Sequence, residues 1–417
     1  MQRLGLRGEH VTITMNWCVV FPLFIFILLI SSCNHRGQEK NAATGQGPQP
    51  ASKPMTIGGE PVVTLRRPRS SDQNKLQFLE ATVLPGRGMN LLQVRAYLPG
   101  KGDIDLLNSP PPSEAKKFLD SQDDAFGTNG FRIGAAVLLP WANRIRGKLS
   151  PDGKSIETSI GGKTLLLPAD WAGKNPGAEK HAIHGLILAE KFQDVTQQNG
   201  LKESSVSGVL HAGNFGGHWP SQTDVNTHVV LADDALEMDV TATNVGQEIL
   251  PMGVAFHPYF KFPSGNRSQG RLRLPSETRA LVNNYDDVFP TGKLVSVKGT
   301  PFDFTATDGK PLGALYMDDN FPNLKYNPDG TATVEIIDPA ANYGLRMTSL
   351  SPEVKAIQVY APPDKDFIVV EPQFNWNDPF NKIWGGRETG MVMLKPGQSV
   401  SWRVRLEMFI PDVSPGH

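Results

Sequence analysis

From Val400 onward the chain reads VSWRVRLEMFI, in which Val400, Trp402, Val404, Leu406, Met408 and Ile410 alternate with Ser401, Arg403, Arg405 and Glu407. Successive side chains take opposite faces only in an extended strand, so this run predicts a strand with one face in a core and the other in water. LEMDVTAT (236–243) alternates in the same way, while VKAIQVY (354–360) and FIVVEPQ (367–373) carry the β-branched and aromatic residues of buried strands. PDGK (151–154), NPDG (327–330) and KPGQ (395–398) are turn sequences between such segments. With 41 glycines and 34 prolines there is little room for long helices, and the clearest helix is short, over SEAKKFLDSQDD (113–124) with Ser113 as its N-cap. No fixed-period repeat, Gly-rich phosphate loop or GxSxG elbow is present. The pattern is that of an all-β domain of roughly 350 residues, larger than one small sandwich.

The first 33 residues read as a targeting segment. Arg3 and Arg7 precede WCVVFPLFIFILLI (17–30), 14 apolar residues where a membrane span needs about 20. ISSC (30–33) then resembles the lipobox of bacterial lipoproteins, with Cys33 as the lipidated residue. A start at Met15 would remove both arginines. Residues 34–59, polar and rich in Gly, Pro and Ala, read as a flexible tether, leaving 60–412 as the folded domain. The expected location is the cell envelope, with the domain held at a membrane by its lipid anchor. Cys18 and Cys33 are the only cysteines, so the domain holds no disulfide, thiolate metal site or cysteine nucleophile. With 41 basic and 42 acidic residues the formal charge is −1, and no basic patch points to nucleic acid. Neutral ligands suit this balance better than polyanions.

Five polar groups interrupt apolar runs. VLLPWANRIRG (137–147) carries Asn143 and Arg144; HAIHG (181–185) ends in His184 and Gly185; GVAFHPYFKFP (253–263) contains His257; LYMDDNF (315–321) holds Asp318 and Asp319; FIVVEP (367–372) closes on Glu371. Each has an ordinary reading: Arg144 beside a surface turn, His184 capping one, the aspartates within one, His257 a satisfied core histidine, Glu371 in a structural ion pair. Glu371 weighs most, because an unpaired buried carboxylate is costly. Proline at 372 predicts that the strand stops or bends there, placing Glu371 at a strand end facing a cleft. Together the groups supply a base, an acid and several hydrogen-bond donors, as reversible opening of a sugar ring requires.

These segments, in this order, resemble the aldose 1-epimerase (galactose mutarotase) family. The resemblance runs through LLPWANRIRG with GKLSPDGK (147–154), AIHG, TNVGQEILPMGVAFHPYFKF (243–262), FPTGKLVSV (289–297), PFDF with LYMDDNF, and VVEPQFNWNDPFN (369–381) with LKPGQS (394–399). It implies a large antiparallel β-supersandwich with the sugar site in an open cleft. It also implies His257 as general acid and Glu371 as general base on opposite sides of the C1–O5 bond, both ionised at the start. Arg144, His184 and Asp318 would bind sugar hydroxyls, and Asn143 belongs to the same motif. Asp318 is favoured over Asp319 because the family's aspartate stands three residues before the phenylalanine, here Phe321. No metal or other cofactor is called for, and the partner is a small aldose.

The chain departs from the family at LILAEKF (186–192), after His184, where many relatives carry a basic residue and a tryptophan. Trp376, in NWNDPFN, is expected to reshape the sugar pocket. Two rival classes stand beside the enzyme. One is a catalytically idle sugar-binding lipoprotein of the same fold, which would need neither member of a proton-transfer pair. The other is a hydrolase or lyase, but hydrolysis needs two carboxylates flanking the bond and only one strong candidate is present. A hexose-6-phosphate epimerase is a nearer relative whose substrate belongs inside the cytoplasm.

Overall fold

A computed structural model describes residues 54–412. The expected targeting segment, the lipidation site Cys33 and nearly all of the tether lie outside the described residues. Folded structure begins a little before residue 60: Thr56–Ile57 pairs with Glu60–Pro61.

Two large antiparallel sheets make up most of the domain, as the supersandwich expectation required. The first has nine strands, and its middle is Thr223–Ala232, Ala235–Asn244, Ser399–Phe409 and Tyr343–Ser349 in that spatial order. The second has eleven; its middle runs Met317–Pro322, Ala356–Ala361, Phe367–Gln373, Ala255–Lys261, Ala135–Leu138. The alternating sequence at the C-terminus becomes Ser399–Phe409, with Val400, Trp402, Val404 and Leu406 buried. The alternation fades after that: Met408 is half-buried, and Ile410 lies beyond the strand and is exposed.

Trp402 joins the two sheets. Its ring lies 6.0 Å from that of Phe256, and its Nε1 donates to the Pro372 carbonyl at 3.1 Å. Phe256, Ile368, Val370 and Val359 point into this shared core with Val240 and Val404. Because side chains alternate, the neighbours of these residues in the same strands must face the other way. That period puts His257, Glu371 and Gln358 together on the outer face of the second sheet.

Two expectations fail locally. Pro372 does not end its strand: Phe367–Gln373 runs on through it in the middle of the sheet. Proline is tolerated because the ladder toward Ala255–Lys261 is interrupted there. Cα pairing is retained at Ala255 with Gln373 and at Tyr259 with Val369 but not between, where Pro258 and Pro372 each lack an N–H. The helix is Pro112–Leu119, starting one residue before Ser113, which is not its cap. Pro112 at its first position has a φ already suited to a helix. It stops at Asp120, whose carboxylate instead accepts from Gly58 N, Arg87 Nη2 and Lys116 Nζ.

Candidate active site

His257 and Glu371 face each other across the interrupted ladder. The pairs on either side place them in register, and His257 Nε2 lies 3.5 Å from Glu371 Oε1. They sit side by side on one sheet face; the sequence reading set them on opposite sides of a sugar's C1–O5 bond. Both are almost wholly buried, with 4% and 2% of their surface exposed. His257 Nδ1 and Glu371 Oε2 find no hydrogen-bond partner among the described residues.

The next strands extend this face. Gln358 is opposite Glu371, and its Nε2 donates to Asp318 Oδ1 at 2.7 Å. Arg144 Nη2 donates to the other oxygen of Asp318 at 3.4 Å. Asn143 orients Arg144 by accepting from both its backbone N–H, at 3.1 Å, and its Nη1, at 2.9 Å.

His184 arrives from a separate short ladder. Arg144–Ile145 pairs with Ala182–Ile183, which brings the two polar motifs together. The link is reciprocal: His184 N donates to the Asn143 carbonyl at 2.9 Å, and Asn143 N donates to His184 Nδ1 at 3.2 Å. Since Nδ1 accepts, the proton of neutral His184 is on Nε2, leaving that nitrogen a donor. Both residues need left-handed backbone, with φ of 64° at Asn143 and 57° at His184. Phe131, in the short 3-10 helix Thr128–Arg132 that follows the α-helix, packs 4.5 Å from the His184 ring and 5.6 Å from that of His257. Leu188, within the departure after His184, joins Phe131 and Ile183 in the apolar backing of the site.

These side chains line a cavity of about 350 Å³. That is the small end of ligand sites, at ~300–1,000 Å³, and suits one sugar ring. Arg144, Asn143, His184, His257, Asp318 and Glu371, all singled out in the sequence, border it together. Gln358 and Phe131 were missed. Gln358 carried the same signal as the others, a polar residue between Ile357 and Val359; Phe131 carried none. Trp376 does not reach this cavity: it is buried edge-on against Trp384, 5.1 Å away. Among the described residues no group of His, Cys, Asp or Glu is arranged to hold a metal ion.

Solvent exclusion governs the ionisation here. Burial pushes His257 down to about 3, with Arg144 adding to the effect. Burial and then the Asp318 charge push Glu371 well above the ordinary carboxylate range, against Arg144. His184 is held well below its usual value by burial, His257 and Arg144. The free site therefore favours neutral imidazole beside a protonated carboxyl, the reverse of the ionised pair expected from sequence. The carboxyl proton then lies beside the imidazole, with Glu371 Oε1 3.5 Å from His257 Nε2.

A family model described as aldose 1-epimerase matches residues 107–407. Among solved structures, a galactose mutarotase-like protein from Clostridium acetobutylicum is similar over 83% of this chain and 98% of its own, at 20% identity and a TM-score of 0.63. An aldose epimerase homologue from C. elegans matches over 84% and 99%, at 18% identity and a TM-score of 0.63. A galactose 1-epimerase from Lactobacillus acidophilus NCFM matches over 84% and 99%, at 17% identity and a TM-score of 0.55. At these identities the solved structures speak for the fold.

Proposed function

The chain belongs to the aldose 1-epimerase family, and from that membership we propose that it interconverts the α and β anomers of free aldoses by acid–base ring opening and reclosure. The observation that carries this reading is the His257–Glu371 pair, 3.5 Å apart in a sugar-sized cavity. The anomeric hydroxyl and the ring oxygen are both bonded to C1, so two groups side by side can serve both atoms at once.

With the carboxyl proton passed from Glu371 to His257, Glu371 as carboxylate takes the proton from O1. The C1–O1 double bond forms as the C1–O5 bond breaks, and O5 takes the proton from His257. Rotation about C1–C2 turns the other face of the aldehyde toward O5. Reclosure returns one proton from O5 to His257 and the other from Glu371 to O1, so the pair ends as it began. Arg144, Asp318 and His184 Nε2 hold the ring hydroxyls, and Asn143 keeps Arg144 in place. The unpartnered atoms of His257 and Glu371 favour this reading, since a polyhydroxyl ligand is rich in complementary donors and acceptors.

ISSC at 30–33 supports a lipid-anchored enzyme of the cell envelope, acting on free sugars outside the cytoplasm. The activity is tested by polarimetry with a panel of pure α-anomers of hexoses and pentoses. An accelerated approach to rotational equilibrium with at least one sugar is expected. Binding without acceleration of any of them would make the protein an idle sugar binder.

A further inference from the structure

Both carboxylate oxygens of Asp170, in the loop that follows strand Lys163–Pro168, are taken by the chain around the cavity. Oδ2 accepts from Thr128 Oγ1 at 3.1 Å, and Oδ1 accepts from Ile183 N at 3.2 Å. Thr128 is the first residue of the 3-10 helix that carries Phe131. Ile183 immediately precedes His184 and pairs with Arg144 in the short ladder. These partners stand 42 residues before the aspartate and 13 after it, so no local preference of the chain brings the three together.

The two segments that Asp170 joins meet in the cavity, where the rings of Phe131 and His184 are 4.5 Å apart. Ile183 lies at the open edge of a two-stranded ladder, where its N–H has no third strand to meet and Asp170 accepts it instead. Trp171, the next residue, completes the joint. Its backbone exchanges hydrogen bonds with His181, at 3.1 and 2.9 Å, and its ring lies 5.3 Å from that of Phe131.

We propose that Asp170 is a positioning residue: by tying the Phe131 helix to the His184 ladder, it fixes His184 for the sugar and keeps Phe131 over His257. It touches neither the sugar nor the reacting atoms. The effect on the sugar rests on the proposed function; the effect on His257 does not. Both contacts ask the side chain to accept, but the Thr128 hydroxyl can turn and accept in its place. Asparagine therefore fits, with its oxygen toward Ile183 N and its amide toward Thr128, and alanine does not. The groups facing His257 are Glu371 beside it, His184 and Tyr259 with rings at 4.9 and 5.2 Å, and the Arg144 charge. Asp170 bonds none of these side chains, so its loss reaches His257 by moving Phe131 or His184.

The test compares wild-type protein with Asp170→Ala, Asp170→Asn and Thr128→Val. It uses calorimetric titration with glucose and galactose and NMR titration of the His257 imidazole, neither of which needs turnover. Wild-type His257 should stay neutral down to about pH 3. Asp170→Ala should weaken sugar binding about 2- to 10-fold, the worth of one hydrogen bond. It should also raise the pH at which His257 takes its proton, because water admitted beside the ring favours the imidazolium. The acid limb of the rate profile should move up with it. Asp170→Asn should keep both properties near wild type. Thr128→Val frees the Phe131 helix alone; it should raise the His257 titration, and it decides the matter if Asp170→Ala does not fold. Wild-type affinity or an unmoved His257 in folded Asp170→Ala would overturn the proposal. So would an Asp170→Asn protein as impaired as Asp170→Ala, or an unmoved His257 in Thr128→Val. Wild-type protein that binds sugars without exchanging their anomers sinks the catalytic reading and leaves both measurements to decide the role of Asp170.

Discussion

His257 and Glu371 respond to the same burial in opposite directions, and the pH dependence of the reaction follows. The productive pair carries one proton in total. With His257 lowered to about 3 and Glu371 raised, that single-proton state spans the interval between them. The rate should fall below about pH 3, as His257 takes a second proton, and fall again above the raised pKa of Glu371, as the last proton leaves. These limbs are assigned the opposite way from ordinary pKa values, for which acid would titrate the glutamate and alkali the histidine. Glu371→Gln and His257→Asn should each lower kcat by about 10²–10⁴-fold, the usual worth of a general acid or base. In Glu371→Gln the alkaline limb should vanish from the residual rate. An alkaline limb that persists there and disappears in His257→Asn would return the limbs to their ordinary assignment.

Among the elements, the short ladder that presents His184 depends on Gly185. Its φ is +85°, and a Cβ there would lie 2.2 Å from the Leu139 carbonyl oxygen. Gly177 has nearly the same φ, +83°, with nothing within 4 Å of such an atom. Gly185→Ala should therefore lower stability by more than Gly177→Ala, whose cost is backbone strain alone, about 1 kcal/mol. Urea unfolding checks this: the midpoint should fall further for Gly185→Ala at an unchanged slope, and equal midpoints would remove the close contact from the account. The strands were legible because alternation and β-branching report directly on burial, as in FIVVEPQ, which forms Phe367–Gln373. The proline inside it misled because its effect depends on the neighbouring strand. Pro258 and Pro372 come together only when the two strands pair, and no local pattern carries that. Asp120 ended the helix early for a similar reason, through partners as far away as Gly58.

At the scale of the whole molecule, the site was legible as a list and not as a geometry. Polar residues in apolar runs identified Arg144, His184, His257, Asp318 and Glu371, but their side-by-side arrangement and reversed ionisation come from long-range register and burial. Trp376 was misplaced because a tryptophan in a loop can pack on either side of its sheet. The N-terminal reading makes a separate prediction: wild-type protein should incorporate labelled fatty acid, and Cys33→Ser should not. Unlabelled wild-type protein would sink the anchor and leave the domain's chemistry untouched. The central claim is that the domain exchanges anomers, and exchange NMR of an aldose at anomeric equilibrium measures this most directly. With catalytic amounts of wild-type protein, cross-peaks should connect the α and β H1 signals on a timescale at which buffer shows none. The Glu371→Gln, His257→Asn double variant should still bind the sugar and show no such cross-peaks. Wild-type protein that binds hexoses and pentoses yet exchanges their anomers no faster than buffer would contradict the account.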